Sequence, residues 1–298
     1  MEIVHTPVLV KETLVFLGPR RDGELMADGT IGEGGHSEAF LRNFPGIRIV
    51  GIDADQTILE TAKKRLAEFG NEIELHVGWA QVFFAERRNT FDTILIDSGI
   101  SVFHYTKSGR GFSFSKDEPL DMRLDTGQGK SAADIVAELP ERDFADLLFN
   151  NAEERYSWRI AHAVVEARTR GRIESAGALA NIVERAVPPA YRRARLHPAT
   201  KTFQALRMAV NGELIRLPSL LENAMNALKV QGRLGFISFE SLTDRMVKLF
   251  FKERCTAKKL SLVTKSAVCA SVEEVRRNPP SRSARLRVIE KKREKENI

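Results

Sequence analysis

The chain has 298 residues, 43% of them hydrophobic and 29% charged, and this composition excludes a mostly disordered protein. No apolar run approaches the roughly 18 residues of a membrane-spanning helix, so we expect no integral membrane protein. The 2 cysteines are too few for a disulfide framework or a zinc cluster. The first residues lack the basic start and apolar stretch of a signal peptide, so we expect a cytoplasmic protein.

The net charge of +6 is concentrated near the C-terminus. Residues 276–298 hold nine basic and three acidic side chains, so the charges of the preceding residues balance. Two interpretations are open. The segment either meets a polyanion, with a phosphate backbone as the favoured partner, or it is a solvated tail that aids solubility.

The N-terminal third alternates between short apolar runs and amphipathic stretches, a pattern typical of repeated βα units. Helices are expected from about residue 37, over 56–69, and between the third and fourth strands. The predicted strands cover residues 24–28, 48–53, 72–77 and 91–97.

The middle of the chain, residues 125–206, is expected to be helical, with helices at 132–139, 141–149, 157–168 and 176–186. After it we predict a helix at 219–228, a strand at 233–239, a helix at 241–254 and closing strands at 259–265 and 284–290. This order predicts a doubly wound α/β sheet with a helical insertion. The expected domains are a discontinuous sheet domain, 1–124 with 207–298, and an insertion, 125–206.

Three features lie at the carboxyl ends of the predicted strands, where an open α/β sheet binds ligands. The first is a glycine loop, DGTIGEGGH at 28–36, whose backbone a ligand can approach closely. Asp53 ends the second strand, where an acid can accept both hydroxyls of an adenosine ribose. Asp97 ends the fourth strand. A turn or a helix cap explains each feature singly, but together they predict a nucleoside-binding crevice.

The chemistry of this crevice narrows the cofactor class. The loop reads G-x-x-G-x-G-G and not G-x-G-x-x-G, which argues against a dinucleotide-binding oxidoreductase. The lysine of a P-loop is absent, which argues against a nucleoside triphosphatase. A positively charged cofactor without phosphates, S-adenosylmethionine (SAM), suits an acid-lined crevice better.

Several uncommon strings follow one another along nearly the whole chain: HTPVL at 5–9, the loop at 28–36, RGFSF at 110–114, PLDMR at 119–123, HPATKTFQALR at 197–207, and the segments 238–248 and 278–287. In this order they resemble the RsmH (MraW) family of bacterial 16S ribosomal RNA cytosine-N4 methyltransferases. The resemblance implies a class I SAM-dependent methyltransferase, Rossmann-like, with a helical insertion that recognises the substrate. It also implies 16S rRNA of the small ribosomal subunit as partner.

The resemblance further implies a set of SAM-binding residues. The methionine end of the cofactor is expected beside the start of the helix that follows the glycine loop. The ribose is expected at the end of the second strand, and the adenine at a tryptophan that replaces the family's phenylalanine. A histidine stands where the family has glutamine. In chain order the set is Gly34, Gly35, His36, Asp53, Trp79, Asp97 and His104.

A second set lies in the family's other motifs and is expected to hold phosphate or the target base. The alternative for each member is an intramolecular ion-pair network that anchors the insertion to the sheet. The set is Arg110, Asp121, Arg123, Lys201, Arg207, Asn211 and Arg245. Arg192, Arg193 and Arg195 follow a double proline on an expected exposed loop and form a further candidate for RNA contact.

Asp97 is also the candidate catalytic residue. An exocyclic amine of cytosine is a poor nucleophile, so the enzyme must position it and accept its hydrogen as the methyl group arrives. The end of the fourth strand meets the methyl group in this fold. The base must be unstacked, which favours an exposed RNA loop.

The string NPPS at 278–281 resembles an amino-methyltransferase motif but lacks its aromatic residue, and we interpret it as a turn.

Some loops depart from the family pattern: DSGISVFH at 97–104, AEER at 152–155 and ESLTDR at 240–245. Two alternatives therefore stay open. The same cofactor chemistry acts on a different RNA, or the chain is an RNA-binding or ribosome-assembly protein whose catalysis has decayed. The six scattered histidines predict no metal site.

Overall fold

The computed structural model describes residues 6–257 and 259–293. His5 of the HTPVL string and residues 294–298 of the basic segment lie outside this described part. The chain divides into two compact units, the first comprising Met1–Ser101 with Arg216–Ile298 and the second Val102–Ile215. The second unit contains the whole predicted insertion, residues 125–206, whose role in substrate recognition stays a prediction.

All strands lie in the first unit. They are β1 (Leu25–Asp28), β2 (Arg48–Asp53), β3 (Ile73–Val77), β4 (Phe91–Asp97), β5 (Leu228–Ser238), β6 (Leu260–Leu262), β7 (Val268–Cys269) and β8 (Arg285–Lys291). They form one 8-stranded sheet in the order β3-β2-β1-β4-β5-β8-β6, with β7 also paired to β8. Strands β1 to β5 pair with one another in parallel, and β8 runs antiparallel to β5.

The helices of the first unit lie before, between and after these strands, and those of the second unit follow one another without a strand among the described residues. In chain order they are α1 (Val10–Leu17), α2 (Gly35–Asn43), α3 (Gln56–Arg65), α4 (Ala80–Ala85), α5 (Val102–Thr106), α6 (Ala132–Glu138), α7 (Glu141–Ala152), α8 (Ser157–Arg168), α9 (Ala176–Ala186), α10 (Pro189–Arg192), α11 (Thr200–Val210), α12 (Glu213–Ala227), α13 (Ser241–Thr256) and α14 (Val272–Arg277). Single 3-10 turns cover Ala67–Glu72 and Pro279–Ser283.

The sheet is covered on both faces. Successive side chains of a strand point to opposite faces, so Met26 and Ala27 of β1 enter different clusters of buried residues. The Met26 cluster includes residues of α1, α2 and α3, whereas the Ala27 cluster includes residues of α4, α12 and α13. Burial on both faces is what near-continuous apolar strands require, and the predicted doubly wound fold is confirmed.

Several predicted elements are confirmed at their bounds, among them β2, β4, α8 and α9. The predicted helix 56–69 ends earlier, at Arg65, because a 3-10 turn with Gly70 at φ 52° follows it. The closing strand predicted at 259–265 is limited to Leu260–Leu262. Helices α1 and α14 and strand β7 lie where the sequence pattern led to no prediction.

Two further differences have clear physical causes. Helix α12 begins at Glu213, whereas we expected a start at 219, and it contains Pro218. Proline has no backbone N–H to donate within a helix, and burial of Leu217 and Leu221 stabilises the helix in spite of this loss. Residues 276–293 are not a solvated tail, because they form the end of α14, a 3-10 turn and β8. Within β8, Arg287 pairs with Asp244 of α13 at 2.8 Å.

Among the described residues, no helix combines the length and the apolar character needed to cross a membrane.

Candidate functional site

The loop after β1 turns sharply into α2 through Gly34. This residue has φ 82°, in the left-handed region that favours glycine. A Cβ on Gly34 would lie 2.9 Å from the Leu66 side chain, and a Cβ on Gly35 would lie 3.0 Å from the ring of Pro7. Glycine at both positions therefore lets α2 begin close to its neighbours at the carboxyl end of β1.

Asp28 ends β1 and is buried beneath this loop. Its Oδ2 accepts a 2.8 Å hydrogen bond from the hydroxyl of Ser37, and its Oδ1 accepts a 3.4 Å bond from the backbone N–H of Thr30. Burial raises the pKa of Asp28 to about 6, although His36 and the Ser37 hydrogen bond act in the opposite direction. The Asp28 carboxyl therefore changes between its protonated and its ionised form close to neutral pH.

His36 is also buried, and burial lowers its pKa. Its Nε2 lies 2.8 Å from the carbonyl oxygen of Val8. A carbonyl oxygen can only accept, so Nε2 carries the proton and the Nδ1 of the neutral ring does not. That Nδ1 lies 3.9 Å from Oδ2 of Asp97. An uncharged imidazole thus stands beside the end of β4.

Asp97 is fixed by bonds from both its backbone and its side chain. Its N–H donates to the Oγ1 of Thr30 at 2.7 Å, and its Oδ1 accepts from the N–H of Gly99 at 3.0 Å. The Asp97 side chain is 13% exposed. The carboxylate is therefore held in one orientation by the ends of β1 and β4 while part of it reaches solvent.

Asp53 occupies the equivalent position at the end of β2. Its Oδ2 accepts a 3.0 Å hydrogen bond from the N–H of Gly32, and its Oδ1 accepts a 2.9 Å bond from the N–H of Asp55. Each oxygen of a carboxylate can accept a second hydrogen bond. Two backbone donors therefore orient a half-buried carboxylate next to the glycine loop.

Trp79 lies just after β3, at the N-terminal end of α4. The guanidinium carbon of Arg216 lies 3.8 Å from the centre of its ring, which is a cation–π contact. Arg216 comes from α12 and has no motif around it, so the sequence offered no signal for this contact. The ring is half-buried, and its place beside adenine stays a prediction.

The residues at this edge of the sheet fit SAM. Its sulfonium and ammonium groups are cationic, and its ribose offers two hydroxyl donors, which carboxylates attract and accept. The oriented carboxylates of Asp53 and Asp97 provide both. Gly35 and His36 begin α2, the helix that follows the glycine loop. The described residues hold no cluster of three or more metal-ligating side chains.

The segment before α1 is held over the glycine loop. Leu9 donates its N–H to Glu274 of α14 at 2.7 Å, and Asn278 donates its side-chain amide to the carbonyl oxygen of Thr6 at 3.1 Å. Pro279–Ser283 is a 3-10 turn that leads into β8. The NPPS string therefore serves as the turn that we interpreted it to be, and it also fastens the N-terminal segment.

In the second unit, three of the predicted substrate-binding residues contact one another. The Nε and Nη2 atoms of Arg123 donate to the two oxygens of Asp121, each at 2.8 Å. The Nη1 of Arg110 donates to the carbonyl oxygens of Arg123 and Leu124 at 2.8 and 3.2 Å. These contacts form an internal network of the second unit, and any contact of its residues with RNA stays a prediction.

Asn211 and Arg207 are buried in the same unit. The Oδ1 of Asn211 accepts from the N–H of Leu124 at 2.9 Å, and its Nδ2 donates to the carbonyl oxygen of Met122 at 2.8 Å. Arg207 forms a two-pronged ion pair with Glu213 at 2.8 and 2.9 Å. Both residues therefore have a structural task inside the unit.

The remaining predicted site residues are spread over both units. The amine of Lys201 donates to the carbonyl oxygen of Glu153 at 2.9 Å. His104 is buried, and the centre of its ring lies 5.2 Å from that of Phe112. Arg245 is exposed on α13 of the first unit. The structure thus brings together Gly34, Gly35, His36, Asp53 and Asp97 at one sheet edge, and Trp79 follows β3 at the same edge. Arg245 lies on α13, and the other predicted site residues belong to the second unit.

Comparison with known proteins agrees with this fold and with a cofactor site at this edge of the sheet. The model of the MraW methylase family matches residues 2–292. A Treponema denticola protein is 53% identical over 309 aligned positions, covering 98% of each chain. A Treponema pallidum protein is 40% identical, covering 97% of this chain and 93% of its own, and a Syntrophobacter fumaroxidans protein is 44% identical, covering 96% of each. All three are named "Ribosomal RNA small subunit methyltransferase H".

The doubly wound sheet and its acid-lined edge define a Rossmann-like, SAM-dependent methyltransferase. The chain belongs to the MraW methylase family. The predicted fold class, the predicted family and SAM as the cofactor are thereby confirmed. The relatives favour neither of the two alternatives that the sequence left open.

Proposed function

We propose that this enzyme transfers a methyl group from SAM to the exocyclic N4 of a cytidine in 16S rRNA of the small ribosomal subunit. The relatives' shared name supports the substrate class. The structural observation that carries the proposal is the pair Asp53 and Asp97. They end β2 and β4, the two strands that flank β1, so their carboxylates lie on either side of the glycine loop.

In this reaction the protein has two tasks, which are to position the amine against the methyl group and to accept a proton. SAM supplies a methyl group that its sulfonium already activates. The amine of cytosine becomes acidic as its nitrogen forms the new bond, so a base must receive the hydrogen. In our proposal the Asp97 carboxylate is that base, and it also orients the amine for in-line attack.

The surroundings of Asp97 suit this role. The Gly99 N–H fixes Oδ1 at 3.0 Å, and the nearest nitrogen of His36 lies 3.9 Å from Oδ2. Burial lowers the pKa of His36, so the ring stays uncharged at neutral pH. A neutral imidazole does not neutralise the carboxylate, which therefore remains available as a proton acceptor.

The remaining site assignments belong to the same proposal. Asp53 would accept the ribose hydroxyls, and Trp79 would face the adenine. The second unit would hold the RNA, whose target base must leave its stack to reach the pocket. Because its substrate is a ribosomal subunit, we place the enzyme in the cytoplasm.

The experiment is methyl transfer from labelled SAM to small ribosomal subunits from cells that lack N4-cytosine methylation. Large subunits serve as the substrate control. Asp53→Ala should abolish transfer, whereas the matched Asp55→Asn should retain it, because asparagine caps a helix as well as aspartate does. Equal labelling of both subunits, or full activity of Asp53→Ala, would contradict the proposal.

A further inference from the structure

Glu154 is a charged residue whose side chain is fully buried in the second unit. It follows the C-terminal end of α7, in the AEER string at 152–155. Its Oε1 accepts a hydrogen bond from the N–H of Tyr156 at 2.8 Å, and its Oε2 accepts one from the hydroxyl of Tyr191 at 2.8 Å. A buried carboxylate persists only when it is hydrogen-bonded in this way.

The bond to Tyr191 connects two segments that are far apart in the chain. Tyr191 lies in α10, within the basic loop 188–196. Burial raises the pKa of Tyr191 to about 12, and the hydrogen bond to Glu154 acts in the same direction, so the hydroxyl keeps its proton and donates it. The basic loop is thereby fastened to the end of α7.

The two tyrosines also hold an arginine. The rings of Tyr156 and Tyr191 meet edge to face, with centres 4.9 Å apart. The guanidinium carbon of Arg155 lies 4.9 Å from the centre of the Tyr156 ring and 4.8 Å from that of Tyr191. Both distances are within the range of a cation–π contact. Arg155 is exposed, so its charge is fixed in position and yet open to solvent.

Three exposed arginines in this part of the second unit have no ion pair with any carboxylate of the described residues. Two other exposed arginines of the second unit pair with carboxylates, Arg170 with Glu166 and Arg172 with Asp134. Arg159 and Arg185 are exposed too and form no ion pair with a described residue. None of the ion pairs within residues 6–257 and 259–293 involves Arg155, Arg193 or Arg195. A cation beside two aromatic rings, with further cations on the basic loop, suits a polyanion that also carries stacking groups.

We propose that Arg155, Arg193 and Arg195 form an RNA-phosphate-binding surface, and that Glu154 and Tyr191 are the positioning residues that hold it in shape. This inference rests on the proposed function, because it takes the substrate to be RNA. A guanidinium held beside two rings can bind a phosphate with two N–H groups, and a neighbouring base can stack on this cluster. Single-stranded RNA offers both.

The experiment measures kcat and KM for undermethylated small subunits at several salt concentrations. Arg155→Ala should raise KM about fivefold with kcat unchanged, and the slope of log(kcat/KM) against log[salt] should become shallower by about 0.7 for the lost phosphate contact. Arg155→Lys should restore only part of the loss, since a lysine keeps the charge but not the planar stacking. Tyr191→Phe should also raise KM while SAM affinity stays unchanged.

Arg142→Ala is the matched control. Arg142 is an exposed arginine in the first turn of α7, about 15 Å along that helix from its C-terminal end by the rise per residue. It pairs with Asp146, and its loss should leave both KM and the salt slope unchanged. If Arg155→Ala and Tyr191→Phe behave like this control while the parent methylates small subunits, the inference is wrong and the proposed function stands. If the parent itself transfers no methyl group to small subunits, the proposed function is wrong and the inference falls with it.

Discussion

The Nε2 of His36 lies 2.8 Å from the carbonyl oxygen of Val8, and this contact joins the segment before α1 to the start of α2. Glu274 and Asn278 hold that segment from the other side. The cofactor loop is therefore braced by residues from the two ends of the chain. Binding of SAM should depend on contacts that lie outside the crevice itself.

The first prediction concerns Asn278→Ala. This change removes the side-chain amide that holds the segment over the glycine loop. The loss of one hydrogen bond, about 1 kcal/mol, should weaken SAM binding about fivefold. Isothermal titration calorimetry measures the affinity. Arg277→Ala, an exposed neighbour that pairs with Glu273, is the matched control and should bind SAM as the parent does. If Asn278→Ala bound SAM as tightly as the parent does, the claim that this segment supports the cofactor loop would be wrong.

The second prediction concerns the pH dependence of stability and Asp28. Burial raises the pKa of Asp28 to about 6 from its ordinary 3.8, so the folded protein holds this proton more tightly than the unfolded chain does. The stabilising contribution is complete below pH 3.8 and is lost as the pH rises through about 6. Asp28→Asn does not ionise and should gain stability relative to the parent over this window, by roughly 3 kcal/mol.

Urea unfolding between pH 4 and pH 8 measures this difference. Burial lowers the pKa of His36, so its contribution is present above pH 6.5 and is lost as the pH falls, opposite to that of Asp28. Asp28→Asn also removes a charge that raises the pKa of His36, so the comparison reports on the Asp28 and His36 pair together. Asp22→Asn, at an exposed carboxyl before β1, is the control for replacing an aspartate with asparagine away from the site. A constant difference for Asp28→Asn would show that its carboxyl is not held protonated.

The third prediction concerns the adenine side of the pocket. The chain has 2 tryptophans, Trp79 and the exposed Trp158. In a Trp158→Phe background all tryptophan fluorescence comes from Trp79, and saturating SAM should change its intensity or wavelength because adenine stacks on the ring. Adding Arg216→Ala should shift the starting spectrum by uncovering the ring. Fluorescence that does not respond to SAM would remove Trp79 from the pocket.

The fourth prediction separates structure from substrate binding at Asn211. Asn211→Ala leaves the N–H of Leu124 and the carbonyl of Met122 without their buried partner, which should cost about 2–4 kcal/mol of unfolding free energy. Asn151→Ala, which removes one bond from a half-buried asparagine, is the control and should cost about 1 kcal/mol. Unchanged stability of Asn211→Ala with a raised KM for small subunits would instead assign Asn211 to the substrate.

Much of the fold was predictable because its strands are bounded by clear chemical changes. In β2 and β4 a run of apolar residues ends at a single aspartate, so both the strand and its site residue could be predicted. The start of α12 could not, since Pro218 is a local signal for a helix start and only burial against the sheet overrides it. The basic segment was ambiguous for a similar reason, because its charge does not reveal the pairing of Arg287 with Asp244.

The site was predictable only where it follows a strand end. Asp53, Asp97 and the glycine loop have that position, whereas the contact between Arg216 and Trp79 depends on how α12 packs. The role of Glu154 could not be predicted for the same reason. Nothing in the sequence marks it as buried, and its partner Tyr191 lies on a different helix. Contacts between distant segments have no local pattern, so they required the structure.

The measurement that tests the central claim most directly is the identity of the methylated nucleoside. Small subunits that lack N4-cytosine methylation are incubated with the enzyme and labelled SAM, their 16S rRNA is digested to nucleosides, and the label is located by chromatography and mass spectrometry. The account predicts label in N4-methylcytidine, absent when Asp97 is replaced by asparagine although SAM still binds. Label in any other nucleoside, or transfer by Asp97→Asn at the parent rate, would contradict it.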